Sequence, residues 1–132
     1  VDQAPGDVLH MADAALAAWD AAVAAVLPAL PRASLVVDLA NGAGRAMAGR
    51  LRALWPGDLL LVGEHGLVND GVGSEHLEHL GAAVVRAGAW AGLAIDGDGD
   101  RCRLVDAKGQ VLDSVQVEVR GAGVVASRAG GR

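Results

Sequence analysis

The chain has 132 residues, 52% of them hydrophobic, and carries 16 acidic against 11 basic side chains for a formal net charge of −5. That length holds one domain of ordinary size, the apolar fraction excludes a disordered tail, and the acidic balance excludes the basic footprint of a protein that binds nucleic acid or an anionic membrane. No apolar run approaches the roughly 20 residues that span a bilayer, no signal-peptide pattern opens the chain, and a single cysteine, Cys102, excludes an internal disulfide framework and suits a reducing compartment, so a cytoplasmic location is expected.

Phe and Tyr are absent, so the large core residues are Leu, Val, Met, Ile95 and three tryptophans, and a thin core is expected. A first residue that is Val1 and not Met suggests a fragment of a longer protein. The first segment, residues 1–33, reads as a helix. Asp7 can cap it, and Leu9, Ala12, Leu16, Trp19, Val23 and Val26 recur at spacings of three and four, with Asp13 and Asp20 on the other face. Pro28 and Pro31 stop it. Too few heptads are present for a partner seam, so the helix is expected to pack on its own domain.

From Leu35 to Leu39 a short apolar run suits a buried strand, followed by the glycine turn Asn41-Gly42-Ala43-Gly44. Met47, Leu51 and Leu54 then mark a helix from Arg45 to Trp55, broken by Pro56-Gly57. Leu59 to Val62 reads as a second strand and Glu64 to Gly73 as a loop. Ser74 can cap a short helix through Leu80, and Ala82 to Val85 is a third strand candidate. Ala91 to Ile95 is a fourth, ending in a glycine-aspartate loop, and Arg103–Val105 with Gln110–Leu112 reads as a hairpin around Ala107-Lys108-Gly109. Such alternation predicts a three-layer α/β/α domain over residues 34–113, with a mostly parallel sheet. Residues 114–132 mix Gly, Ala, Ser and Arg without a sustained period and read as an irregular tail, truncated or misjoined.

The strongest chemical signal is Asp96-Gly97-Asp98-Gly99-Asp100-Arg101, directly after an apolar strand. Glycines between the carboxylates let the backbone curl so that three oxygens turn inward. Three hard anionic ligands repel one another unless a hard cation such as Mg²⁺ or Ca²⁺ sits among them. The end of a strand is where open α/β sheets bind ligands. An EF-hand loop is excluded, since its sixth and twelfth positions would be Arg101 and Ala107 instead of glycine and glutamate. Arg101 can balance the acidic charge or grip a phosphate bidentately, and a metal with an arginine is a suitable clamp on a phosphoryl group.

These residues resemble the metal loop of the α-D-phosphohexomutase superfamily. The segment Val37-Asp38-Leu39-Ala40-Asn41-Gly42-Ala43-Gly44 is similar to that family's D-x-A-N-G-x-G stretch. Between them, Asn69-Asp70-Gly71 and Gly81-Ala82 resemble the eukaryotic phosphoacetylglucosamine mutase branch, with Leu80 and Ala83 standing where that branch has Cys and Asp. The resemblance runs from about Leu35 to Asp113 and covers the second of the family's four domains. It implies an isomerase that moves a phosphoryl group between the 1- and 6-positions of a hexose phosphate through a phosphoserine, interconverting N-acetylglucosamine 6-phosphate and N-acetylglucosamine 1-phosphate on the way to UDP-N-acetylglucosamine. It implies Mg²⁺ held by Asp96, Asp98 and Asp100, and Arg101 beside the phosphoserine.

No serine here lies in the phosphoserine context of the family. Ser34, Ser74, Ser114 and Ser127 all lack it. The chain therefore carries no catalytic nucleophile of its own on this reading. It would meet a hexose phosphate only through further domains and would be inactive alone. Phosphoglucosamine, phosphomannose and phosphoglucose mutases remain alternatives, as does a non-catalytic α/β domain that binds Mg²⁺ or Ca²⁺. Gly42-Ala43-Gly44 is not a dinucleotide fingerprint, because Met47 stands at its third glycine. His65, His76 and His79, beside Glu64, Glu75 and Glu78, match no zinc motif and read as a solvated helix face. Cys102 reads as core packing.

Overall fold

The structure, a computed structural model, describes residues 10–29, 32–112, 115–120 and 123–128. Helix α1 spans Ala12–Val26 and ends in a 3₁₀ turn over Leu27–Ala29 that contains Pro28. Asp7, the expected cap, and Pro31 lie outside the described residues. Strand β1 is Leu35–Asp38, and a 3₁₀ turn at Ala43–Met47 leads into α2, Ala48–Leu54. Strand β2 is Leu59–Val62, α3 is Leu77–Ala87 and β3 is Ala91–Ile95. Strands β4, Cys102–Asp106, and β5, Val111–Leu112, form the expected hairpin.

One expected strand is a helix. Ala82–Val85 is the second half of α3. A run of four small apolar residues has no period of its own, and the burial decides: Leu77, Leu80, Gly81, Ala83 and Val84 form one helical face that packs on the sheet. Gly88 stops the helix in a left-handed conformation, φ +60°, and its N–H reaches back to the Val84 and Val85 carbonyls.

The sheet has the order β2-β1-β3-β4-β5. Strand β1 pairs in parallel with β2 and β3, whereas β3–β4 and β4–β5 are antiparallel. The α/β/α layering is as expected. The sheet is mixed instead of mostly parallel, because the hairpin extends the same sheet and does not stand apart. Asp38 lies opposite Ala94, so the carboxyl ends of β1 and β3 are level.

Alternation along β1 sends Val36 to one face and Val37 to the other. On the first face Val36, Leu80, Val84, Ala94 and Val105 form a closed core under α3. On the second, Val37, Leu39, Ala48 and Leu61 are covered by α2, with α1 beyond it. An ion pair from Asp20 to Arg50 ties α1 to α2, yet α1 buries none of its residues fully. An apolar groove of about 510 Å³ remains there, walled by Trp19, Val23, Met47, Leu51, Trp55 and Ile95, with Asp98 and Gly99 at its rim.

Strands β6, Val115–Arg120, and β7, Gly123–Arg128, pair as an antiparallel ribbon, Val115 opposite Arg128. Regular pairing thus replaces the irregular tail expected there. The period-two alternation of Val115, Val117 and Val119 with Gln116 and Glu118 suits it. Among the described residues, no helix is long and apolar enough to cross a membrane.

Candidate metal centre

The acidic stretch is the connection of the β3–β4 hairpin, closed by the Ile95–Cys102 pair. Within it the Gly99 N–H donates to the Asp96 carbonyl at 3.1 Å, and the Asp96 N–H to the Arg101 carbonyl at 3.3 Å. Gly99 sits at φ +80°, a conformation that admits the tight reversal only because no Cβ is present. One carboxylate oxygen from each of Asp96, Asp98 and Asp100 lies within 4.8 Å of the others. Asp96 is 4% exposed, while Asp98 and Asp100 face solvent.

Electrostatics separates the three. Burial pushes the Asp96 carboxyl up, but hydrogen bonds from the Arg101 backbone N–H (3.1 Å) and Nε (2.8 Å), with one from Asp100, outweigh it and hold Asp96 down at about 2. Asp100 is pushed up by the hydrogen bond it shares with Asp96 and by repulsion from Asp98 and Asp96. The three carboxylates therefore repel one another at close range. The hydrogen bond to Asp96 raises the Arg101 guanidinium further above its usual value. Arg101 also approaches Glu75 at 3.5 Å and Asp100 at 3.6 Å, and its side chain stays 63% exposed.

This donor set fits a hard divalent cation. All three donors are carboxylate oxygens, as Mg²⁺ and Ca²⁺ require. Neighbouring oxygens around Mg²⁺ stand about 2.9 Å apart, so the three carboxylates, now within 4.8 Å of one another, would draw together around a bound ion. Among the described residues no other group of three or more His, Cys, Asp or Glu side chains could hold a metal. His65, His76 and His79 do not assemble. Cys102 is exposed instead of packed in the core, because its strand begins at the open rim of the hairpin.

The loop rests on the turn after β1. The Ala43 N–H donates to the Gly97 carbonyl at 2.9 Å. A Cβ on Gly42 would collide with that same carbonyl, and one on Gly97 would strike Val68 and Asn69. Ala40 and Asn41 reach this position with positive φ, +53° and +52°, an uncommon conformation away from glycine. The turn is held by Asn41, whose N–H donates to the Gly63 carbonyl (2.7 Å) and whose Nδ2 donates to the Leu67 carbonyl (3.0 Å).

Asp38 holds it too. This fully buried carboxylate accepts the Ala40 N–H on Oδ1 (2.8 Å), and the Gly73 N–H (2.7 Å) and His79 Nε2 (2.9 Å) on Oδ2. His79 is thus bound to the sheet instead of belonging to a solvated face. The sequence offered one signal for it, a charge at the end of an otherwise apolar strand, which demands a buried partner.

No family model matches the chain. A phosphoglucosamine mutase of Frankia alni is 41% identical over 101 residues, covering 74% of this chain and 22% of that protein. One from Mycobacterium sp. strain KMS is 45% identical over 98 residues, covering 72% and 22%. Among solved structures, a phosphoglucomutase/phosphomannomutase family protein of Burkholderia thailandensis superposes with a TM-score of 0.56 at 28% identity, over 70% of this chain and 22% of that one. The sequence and structural similarities together support the phosphohexomutase superfamily as the family of this α/β unit. The chain spans about a fifth of the length of the relatives it matches.

Proposed function

We propose that the chain is the metal-binding unit of a phosphohexomutase of the phosphoglucosamine mutase kind. The bacterial relatives carry that name. This moves the substrate reading from N-acetylglucosamine phosphate to glucosamine phosphate, an alternative the sequence reading keeps open. The observation that carries the proposal is the convergence of Asp96, Asp98 and Asp100 at the end of β3, with Arg101 beside them.

Mg²⁺ is the proposed occupant, and once bound it offsets the negative charge of a phosphoryl group in transit. Asp96 is the member of the set pinned by Arg101, and the exposed Asp98 and Asp100 would supply the other carboxylate oxygens to the ion. Arg101 keeps most of its guanidinium exposed, so it can face a phosphate oxygen while its Nε stays on Asp96. In the complete enzyme a hexose phosphate is the partner, the phosphoserine donor is supplied from other residues, and the location is cytoplasmic. The isolated chain should turn over no substrate.

Calorimetric titration of Mg²⁺ into the chain and into Asp98→Asn tests the metal assignment. Three carboxylates leave about half of a six-oxygen shell to water, so binding should be weak, and the variant should weaken it by about tenfold or more. Equal affinities in the two would falsify the assignment.

A further inference from the structure

The Asp38–His79 pair is not used by the metal chemistry above, and neither residue belongs to the acidic cluster. Its position gives it a second task. Among the described residues, His79 is the only side chain that donates to the Asp38 carboxylate, the other two donors being backbone N–H groups. A buried carboxylate is costly unless its oxygens are satisfied, so the place of His79 on α3 fixes the Asp38 side chain. Asp38 in turn holds the Ala40 N–H, and with it the left-handed turn that a non-glycine residue does not adopt unaided. Three residues further on, that turn delivers the Ala43 N–H to the carbonyl of Gly97, which sits between two of the three acidic residues.

Helix, buried carboxylate, turn and acidic loop are therefore joined by consecutive hydrogen bonds of 2.9, 2.8 and 2.9 Å, with the strained turn as one link. We propose that His79, acting through Asp38, is a positioning residue that sets the cation affinity of the Asp96–Asp98–Asp100 loop. His79 is 36% exposed and needs no contact with the ion to do so. The proposal rests on the metal reading above and adds to it the device that holds the loop in shape.

The test uses the 132-residue chain, with Mn²⁺ as a spectroscopic stand-in for Mg²⁺ and its binding followed by the loss of the free-ion paramagnetic resonance signal. His79→Ala should raise Kd about fivefold, below the 10–100-fold of residues that touch ligands directly. His79→Gln can place its amide nitrogen where Nε2 stands, and it should restore Kd to within about twofold of the parent. The Gly97 amide resonance of the metal-free protein should move in His79→Ala and return in His79→Gln. Val84→Ala thins the packing of the same helix without touching Asp38 and should leave Kd unchanged.

A parental Kd in His79→Ala overturns the proposal, and so does an equal loss in Val84→Ala, which would mean general loosening. If His79→Ala does not fold, His79→Asn, one methylene shorter than Gln, takes its place with the same two outcomes. Asp98→Asn separates the readings. Parental binding there removes the metal assignment and this proposal together. Lost binding there with parental binding in His79→Ala removes this proposal alone.

Discussion

The two faces of the sheet are built from similar residues and reach different ends. Under α3, Leu80, Val84 and Val105 are completely buried, and Gly92 lets the helix close on the strands. Under α2 and α1, Leu51, Leu93 and Ile95 are only half-buried around a groove of about 510 Å³. The difference lies in how the helices arrive. Helix α3 has a left-handed glycine cap, a continuous apolar face and the His79–Asp38 bond at its start. Helix α1 buries no residue fully, and the ion pair from Asp20 to Arg50 that ties it to α2 is partly exposed, a kind of interaction worth about 0–1 kcal/mol. Apolar composition alone does not close a core; the anchoring of the covering helix does.

The largest expected contrast comes from paired truncations. Leu80→Ala on the closed face should cost about 3 kcal/mol, because neighbours packed on all sides cannot collapse into the space. Leu51→Ala on the open face should cost about 1 kcal/mol, since its side chain already borders a void. Urea denaturation of the two variants measures this, and equal costs would break the distinction between the faces.

A smaller effect of opposite signs follows from two glycines. A Cβ on Gly92 would lie 2.6 Å from Val84 Cγ2 and 2.9 Å from Val105 Cγ2, so Gly92→Ala should destabilise by about 2 kcal/mol through overpacking. Gly49 in α2 has nothing within 4 Å of that position, and Gly49→Ala should stabilise by about 0.7 kcal/mol through helix propensity. Stabilisation by both would mean that the α3 face is also loosely filled.

The smallest effect concerns the acidic loop, where buried Asp96 and exposed Asp100 repeat the contrast on the scale of one turn. Asp96 is held at about 2 against an ordinary 3.8, so its contribution is complete above pH 3.8 and is lost as the pH falls through 2. Asp100 is shifted upward and acts with the opposite sign: it opposes folding above its raised value, and protonation relieves it. In metal-free buffer the urea midpoint should therefore fall between about pH 4 and pH 2, and Arg101→Gln should flatten that fall. An unaltered profile in the variant would show that Arg101 does not hold Asp96 down.

How much of this could be read beforehand depended on range. The acidic loop is local, six consecutive residues whose glycines and carboxylates carry their own geometry, and the strand before it and the hairpin after it were legible for the same reason. Ala82–Val85 was not, because four small apolar residues suit a strand as well as the end of a helix, and the outcome was set by contacts of Val84 with β strands far along the chain. Asp38 and His79 are distant in sequence, and no periodicity announces their bond. The mixed sheet was half legible: the hairpin could be seen, but not that β4 would take the free edge of β3. The β6–β7 ribbon escaped because glycine and alanine around the two strands dilute a clear alternation in the first.

The central position of β1 has a consequence for the newly made chain. Leu35–Asp38 precedes in the chain both of the strands that cover its edges, and Asp38 gains its side-chain donor only when His79 exists. The cover of β1 on one side waits for Ala91–Ile95, and the closed core waits for Val105. Each parallel pairing must close a long loop before it is rewarded. At about 5–20 residues per second, several seconds separate the synthesis of β1 from that of its second neighbour. During that interval its valines have no native partners on that side, so the assembly of the sheet waits on residues far downstream of β1.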